Sequence, residues 1–395
     1  MKHKKPNIKI RKYYIDWIRI ILIFSVFLFH IGKIFNTSNW PIKNDVQIGE
    51  LNKLMTLTSI WRMPLLFLIS GVGTFYAVKI KNSGEYLKER FIRIFIPFII
   101  GVFTLIPIQV YYEKIDKYDS IFHFYANIFD GIYPTGNFSW QHHLWFLLYL
   151  FLISLIISPF LKYFNTQSFL KFKYYSTSML SKKLRLNWIA ILLIFSQYIL
   201  QFLIGENTLF VGIDLIKFAN YFIFFIAGFI LMTDENLIKN IERQRFLYLT
   251  QTLIITVIYL ASKYFNYNSN IIEISKLIIS WSFGITVLGF AKYYLNTDTK
   301  YRAYFNEAIY PFYLLQQPVI IVVGYYIIQL EIPVLLKMIS VIFISLLIIV
   351  ILYRFIIYPY NILRFAFGLK PTKKRKNQLD YSKETIVVEN SLLTK

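Results

Sequence analysis

Cysteine is absent from this 395-residue sequence, and charged residues make up only 16% of it. Without cysteine the chain cannot form a disulfide, a thiolate metal site or a cysteinyl acyl intermediate. An ordinary globular protein has roughly a quarter of its residues charged, so a soluble chain with so little charge would expose too much apolar surface. These two shortages exclude thiol chemistry and argue against an arrangement of two or three soluble domains.

The sequence consists largely of long apolar segments. They recur from residue 15 to about residue 366, and hydrophobic residues make up 56% of the chain. A membrane-spanning helix needs roughly 20 consecutive apolar residues. The sequence therefore predicts an all-α, polytopic integral membrane protein with about ten transmembrane helices, the last of which bends near Pro359. The predicted spans are residues 15–35, 51–78, 91–111, 143–164, 187–205, 212–232, 246–265, 270–294, 305–328 and 332–366.

The basic residues outnumber the acidic ones, 43 against 21, and they are unevenly distributed. They concentrate in the N-terminal tail, in every second connection between spans and in the C-terminal tail. By the positive-inside rule both termini are predicted to be cytoplasmic. Contact with an anionic leaflet explains the net charge of +22 without a nucleic-acid partner. We expect a basic cytoplasmic tail at residues 1–14, a membrane domain at 15–366 and a charged, disordered cytoplasmic tail at 367–395.

The first predicted span contains three ionisable residues, Asp16, Arg19 and His30. Each costs several kcal/mol inside a bilayer and therefore needs a reason to be there. Arg19 and His30 are eleven residues apart, about three helical turns, so they share one helix face roughly 16 Å apart. Arg19 could instead extend to the headgroups, and His30 could be a hydrogen-bonded packing residue. Histidine is also the side chain best suited to proton transfer near neutral pH.

The second and third spans add further cationic residues. Arg90 and Arg93 lie three residues apart, on one face at the predicted cytoplasmic end of the third span. A pair of guanidinium groups binds phosphate well, although membrane anchoring would produce the same pattern. In the second span, Arg62 precedes Pro64, which we expect to break the helix beside a cavity.

The connection from Tyr112 to His142 is long enough to cap a site from outside. It begins with Glu113, and the fourth span opens with the adjacent pair His142 and His143. Adjacent residues on a helix point about 100° apart, so a metal site built on these two histidines is not expected. Both could also be interfacial residues beside an aromatic belt.

Four segments, taken in order, resemble the integral-membrane acyltransferase family of type three, the acyltransferase 3 family. They are the Arg19-x₁₀-His30 spacing, W-x-M-P-L-x-F-x-I-S-G at 61–71, R-x-x-R followed by proline at 90–97, and H-L-W-F-L at 143–147. Among its branches, the YYIDWIR segment and the stretches at 107–113 and 310–318 most resemble the glucan-modifying, succinyltransferase-like one. That branch often has histidine where this chain has Arg62 and Gln316, so a second histidine role does not carry over.

This resemblance implies a membrane O-acyltransferase, in a bacterial plasma membrane, that moves an acyl group from cytoplasmic acyl-CoA to a hydroxyl of an extracytoplasmic carbohydrate. It implies His30 as the catalytic base, because the family keeps its proposed base at that motif position. It implies that acyl-CoA phosphates bind Arg19, Arg90 and Arg93, and it requires no metal. Possible supporting residues are Asp16, Arg62, Glu113 and His143.

A transporter or exporter of a lipid-linked sugar or small molecule is the alternative. Ten spans, buried charges and a proline in the second span would also suit that class. The chain shows no internal inverted repeat, and its buried charges cluster in the first three spans. These two features favour the enzyme.

The predicted topology can be tested with reporter fusions. Fusions after Leu51 and after Gly205 should report an extracytoplasmic position, and a fusion after Lys81 a cytoplasmic one, because basic connections stay on the cytoplasmic side. A cytoplasmic signal at either of the first two positions would contradict the span count.

Overall fold

The structure is a computed structural model, and it describes residues 12–140, 142–164, 166–205, 209–210 and 213–371. Within those ranges the chain is almost entirely helical, which confirms the all-α prediction. A single pair of two-residue antiparallel strands, β1 (Leu209–Phe210) and β2 (Ile213–Asp214), is also present there. The helices are α1 (Tyr13–Phe35), α2 (Gly49–Val78), α3 (Ser83–Arg90), α4 (Ile96–Glu113), α5 (Ile121–Ala126), α6 (Trp145–Ile157), α7 (Gln167–Leu180), α8 (Trp188–Ile204), α9 (Leu215–Leu231), α10 (Glu235–Arg243), α11 (Arg245–Tyr264), α12 (Ser269–Tyr294), α13 (Arg302–Ile328), α14 (Val334–Ile351) and α15 (Asn361–Ala366).

The described residues contain nine helical segments that are long and apolar enough to cross a membrane. The remaining predicted span, residues 212–232, corresponds to α9, which reaches spanning length only together with α10, and the two helices are bent by 104°. Asp234 caps the start of α10, since its side chain accepts a hydrogen bond from the backbone of Asn236 at 2.8 Å. The polytopic prediction is confirmed, and the orientation of the termini stays a prediction.

The ends of the chain are described only in part. Of the predicted N-terminal tail, residues 12–14 are described, and most of the predicted disordered C-terminal tail lies outside the described residues. The bend predicted near Pro359 is confirmed. A π-helical turn, Leu352–Ile357, continues α14, and the helix is then interrupted at residues 358–360 before α15 starts at Asn361. Proline cannot donate a backbone hydrogen bond, which favours a helix break there.

The second span differs from its prediction. α2 runs without interruption through Pro64, so the expected break of the helix at that residue is wrong. Membrane helices tolerate proline in their interior where neighbouring helices surround the freed backbone groups. Pro64 is buried within the bundle, which is consistent with that environment.

Helices α2 and α9 approach each other closely at two glycines. A Cβ atom added at Gly71 would lie 1.9 Å from the carbonyl oxygen of Phe225, and one added at Gly228 would lie 1.9 Å from that of Leu68. Small residues let membrane helices pack backbone to backbone in this way. The glycine that ends the motif at 61–71 therefore has a packing role at the centre of the bundle.

Replacing Gly71 by alanine should destabilise the protein by about 1 to 3 kcal/mol, because the added methyl group forces α2 and α9 apart. Thermal unfolding in detergent would measure the loss. The matched control is Gly49→Ala on the same helix, where an added Cβ meets no atom within 4 Å. Equal melting temperatures for the two variants would contradict the packing argument.

Candidate active site

Two large cavities lie at opposite ends of α1. We call the first the basic cavity, because arginine side chains line much of its polar wall. Its volume is about 750 Å³, and it lies at the end of α1 that carries Arg19. Its polar and aromatic lining consists of Arg19, Ser70, Glu89, Arg90, Arg93, Phe146, Asn306, Glu307, Tyr310, Tyr313 and Lys370.

Arg90 and Arg93 both line the basic cavity, at the junction of α3 with a π-helical turn, Phe91–Phe95, that leads into α4. Irregular π-helical turns of this kind occur frequently at functional sites. Arg90 Nη2 donates a hydrogen bond of 2.9 Å to Thr74 Oγ1, while Arg93 Nη1 lies 3.6 Å from Glu89 Oε1. The Arg90 guanidinium also lies over the ring of Tyr86, 5.0 Å from its centroid. Each guanidinium thus uses only part of its five N–H donors and keeps others for a ligand.

Arg19 and Asp16 belong to the same end of the bundle. Arg19 Nη1 donates to Asn306 Oδ1 at 3.3 Å and lies 4.0 Å from Asp16 Oδ1. The other carboxylate oxygen of Asp16 accepts a 2.6 Å bond from the buried Arg302. Asp16 lies fourteen residues before His30, roughly 21 Å along the helix, so it supports the arginine cluster and does not contact His30.

Opposite the basic cavity lies what we call the histidine cavity, because three histidines line it. Its volume is about 880 Å³. It combines the far end of α1, the segment that follows α1 and the connection between α4 and α6. Its lining consists of Phe29, His30, Thr37, Ser38, Asn39, Trp40, Pro41, Lys43, Gln47, Glu113, Tyr133, His142, His143, Trp145 and Gln317.

His30 lines this cavity. Its ring nitrogen Nδ1 is buried and has no hydrogen-bond partner among the residues that the structure describes. The ring stacks on Trp40 with centroids 5.4 Å apart and planes 24° apart. An imidazole in the wall of a cavity can exchange a proton with a ligand there.

Arg62, on the neighbouring helix, has a structural role. Its guanidinium stacks on the ring of Phe29 at 3.7 Å and donates to the carbonyl oxygens of Ser25, at 3.2 Å, and Thr58, at 3.1 Å. Only 4% of the residue is exposed, and it is not part of the cavity lining. Arg62 therefore joins α2 to α1 just behind His30.

His143 contrasts with His30, because both of its ring nitrogens are engaged. Nδ1 accepts from Gln109 Nε2 at 3.2 Å, and Nε2 donates to the carbonyl oxygen of Leu314 at 3.0 Å. Its own backbone oxygen accepts a hydrogen bond from Tyr313 Oη. A neutral imidazole satisfies both ring contacts, so His143 connects three helical segments and has no nitrogen left for a ligand.

A thin layer of side chains separates the two cavities. Tyr313 and Phe146 line the basic cavity, and their ring centroids are 5.9 Å apart. The hydroxyl of Tyr313 contacts the backbone of His143, which lines the histidine cavity. We call these three residues the partition.

Glu113 and His142 line the histidine cavity, and each has a polar side-chain atom that is not used in a hydrogen bond. Glu113 Oε1 accepts a 3.1 Å hydrogen bond from Tyr133 Oη. The buried atoms Glu113 Oε2 and His142 Nε2 have no partner within the described part of the chain. Burial and the nearby Glu113 carboxylate raise the pKa of Tyr133 to about 12, so its hydroxyl stays protonated and donates.

The pairing of two buried polar residues could not be recognised in the sequence. In the sequence Arg302 lies just before the predicted span 305–328, where a basic residue is expected at the membrane surface. In the structure it forms a buried ion pair with Asp16. Gln316 is fully buried, and its two side-chain polar atoms have no partner among the described residues. No group of three metal-ligating side chains occurs in the described ranges.

The class of protein that this fold defines is a multi-pass membrane protein with a polar cavity at each end of the bundle. A profile of the acyltransferase 3 family, described as an acyltransferase domain, matches residues 12–354. The chain therefore belongs to the acyltransferase 3 family and is a membrane acyltransferase. No curated protein and no solved structure is significantly similar to it. The family assignment favours the enzyme over the transporter, and the glucan-modifying branch stays a prediction.

Proposed function

We propose that this membrane acyltransferase moves an acyl group from acyl-CoA in the basic cavity to a hydroxyl of an extracytoplasmic carbohydrate in the histidine cavity. The observation that carries the proposal is the contrast between the two cavities at the two ends of α1. One is lined by arginines that suit phosphate, and the other by a histidine with a free nitrogen. The corresponding location is the plasma membrane of a bacterium, with both termini cytoplasmic.

The basic cavity suits the donor because its two kinds of wall match the two parts of acyl-CoA. The phosphates of CoA carry several negative charges, which Arg19, Arg90 and Arg93 can bind by charged hydrogen bonds. Apolar residues line the rest of the cavity, among them Ile23 and Leu66. They offer an uncharged path for the pantetheine arm and the thioester, so the phosphates need not enter the hydrocarbon region.

The histidine cavity suits a carbohydrate because it combines aromatic walls with hydrogen-bonding atoms. Phe29, Trp40, Tyr133 and Trp145 line it beside the unused polar atoms described above. Sugar rings have apolar C–H faces that pack on aromatic rings and hydroxyl groups that both donate and accept. A lipid-like alcohol would use the walls but leave the polar atoms unpaired.

In the proposed reaction His30 is the general base. It takes the proton of the acceptor hydroxyl while the hydroxyl oxygen attacks the thioester carbonyl carbon. The carbon–sulfur bond then breaks, the CoA thiolate leaves, and the protonated imidazole returns the proton to the sulfur. The carbonyl group has to pass the partition to reach His30, which requires Tyr313 and Phe146 to move apart when the donor binds.

Donor binding can be tested at the arginine pair. Arg90→Ala or Arg93→Ala should weaken acetyl-CoA binding by about 1.5 to 3 kcal/mol, since each removes a charged hydrogen bond to phosphate. Lysine should restore only part of the loss, because it cannot make a two-pronged contact. Equilibrium binding in detergent would measure the change.

The matched control for donor binding is Arg243→Ala, which removes an exposed arginine at the end of α10 that does not line the cavity. If both cavity variants bind acetyl-CoA as tightly as the wild type and this control, the pair is a membrane anchor and the donor site lies elsewhere.

The chemical step can be tested at His30. His30→Ala should lower the rate of acyl transfer by ~10² to 10⁴ and leave acetyl-CoA binding nearly unchanged, because a general base contributes to rate. His30→Gln keeps the size and a hydrogen bond but cannot take up the proton, so it should be nearly as slow. The matched control is His123→Ala in the connection after α4, outside the cavity lining. Turnover by His30→Gln close to the wild-type rate would remove His30 from this role.

A further inference from the structure

The connection between α4 and α6 supplies a second polar centre to the histidine cavity, separate from His30. Its parts are Glu113 at the end of α4, Tyr133, and His142 at the start of the turn that leads into α6. Tyr133 joins the other two, since its hydroxyl donates to Glu113 Oε1 and its ring meets the ring of His142 edge to face at 4.8 Å. None of these three residues has a role in the reaction proposed above.

Burial makes the two unused atoms of this centre costly. A buried acceptor or donor without a partner costs free energy because it has lost its hydration. Glu113 Oε2 and His142 Nε2 are both in this state with respect to the described residues. His142 also has a backbone φ of 28°, in the left-handed region that residues other than glycine rarely adopt. Buried unpaired atoms and local strain together are typical of a site kept for a ligand.

The chemistry of the unused atoms restricts that ligand. A carboxylate oxygen only accepts hydrogen bonds, so the ligand must donate to Glu113. The indole nitrogen of Trp40, also buried and unpaired within the described ranges, only donates, so the ligand must accept as well. A ligand that offers only an ammonium group has no acceptor for Trp40, and one that offers only an ester has no donor for Glu113. Neighbouring hydroxyl groups, as on a sugar ring, both donate and accept.

We propose that Glu113, Tyr133 and His142 form a subsite that positions the acceptor, in which Glu113 binds a hydroxyl next to the one that reacts. The inference rests on the proposed function, since it assumes that the acceptor enters the histidine cavity. Glu113 is a positioning residue here, because it fixes which hydroxyl faces His30 and takes no proton from it. Tyr133 holds the carboxylate in its orientation.

The test uses acetyl-CoA and surface polysaccharide extracted from cells that lack this protein. Glu113→Gln turns an accepting oxygen into a donating amide while keeping the shape of the side chain. It should raise the KM for the polysaccharide about 10-fold or more, with a smaller change in kcat and normal acetyl-CoA binding. Tyr133→Phe should act in the same direction and more weakly. The product should also change from one positional isomer to a mixture, which a merely structural role would not cause.

The matched control is Glu331→Gln, the same chemical change at an exposed residue between α13 and α14. The outcomes separate the two proposals. If the wild type transfers acyl groups and Glu113→Gln matches it in KM and in positional isomer, the subsite is overturned and the proposed function stands. If the wild type transfers nothing from acetyl-CoA to the polysaccharide, while reporter fusions show it inserted, both proposals fall.

Discussion

The cost of leaving an ionisable group unpaired inside a bilayer is the constraint on which this structure depends. In this chain, ion pairs between residues that are distant in the sequence satisfy that constraint. Asp16 on α1 binds Arg302 on α13, and Glu307 on α13 binds Arg364 on α15. Both side chains of the first pair are buried, and removing one partner of a buried pair typically costs about 3 to 5 kcal/mol. These contacts join the first span to the last ones at the end of the bundle that holds the basic cavity.

The same constraint distinguishes structural groups from candidate functional ones. His143 has both ring nitrogens bonded, and Arg62 donates to two carbonyl oxygens and stacks on an aromatic ring. His30, by comparison, has a buried nitrogen without a partner in the described ranges, as does His142. Because three of these residues are histidines within one cavity, residue type alone could not separate them. Their hydrogen bonds distinguish the bonded His143 from His30 and His142.

The partition has a physical purpose that follows from its position. An open path between the two cavities would let water and protons cross the membrane, and water would compete with the acceptor for the acyl group. The hydroxyl of Tyr313 is bonded to the backbone of His143, and the ring of Phe146 lies beside that of Tyr313, so these residues lie between the two cavities. Under the proposed function the donor has to break these contacts before its thioester can pass.

Much of the fold could be predicted from the sequence, because the length of an apolar span is a local property. The bend near Pro359 and the shared face of Arg19 and His30 follow from single-helix geometry in the same way. Local rules did not reveal that α2 would continue through Pro64, since neighbouring helices decide whether a proline is tolerated. The pairing of Asp16 with Arg302, 286 residues away, has no local signal either.

The length of α1 finally bears on the identity of the donor. Arg19 and His30 lie roughly 16 Å apart along one helix, so the proposed phosphate site and the proposed base cannot approach each other. A small acyl phosphate carries its charge next to the reacting carbonyl and could not reach both residues at once. Acyl-CoA separates its phosphates from its thioester by a long flexible arm. Under the proposed function, a donor of that shape would keep its charges at Arg19, Arg90 and Arg93 while its carbonyl passes the partition, which is why we propose acyl-CoA and not a donor in which charge and acyl group are adjacent.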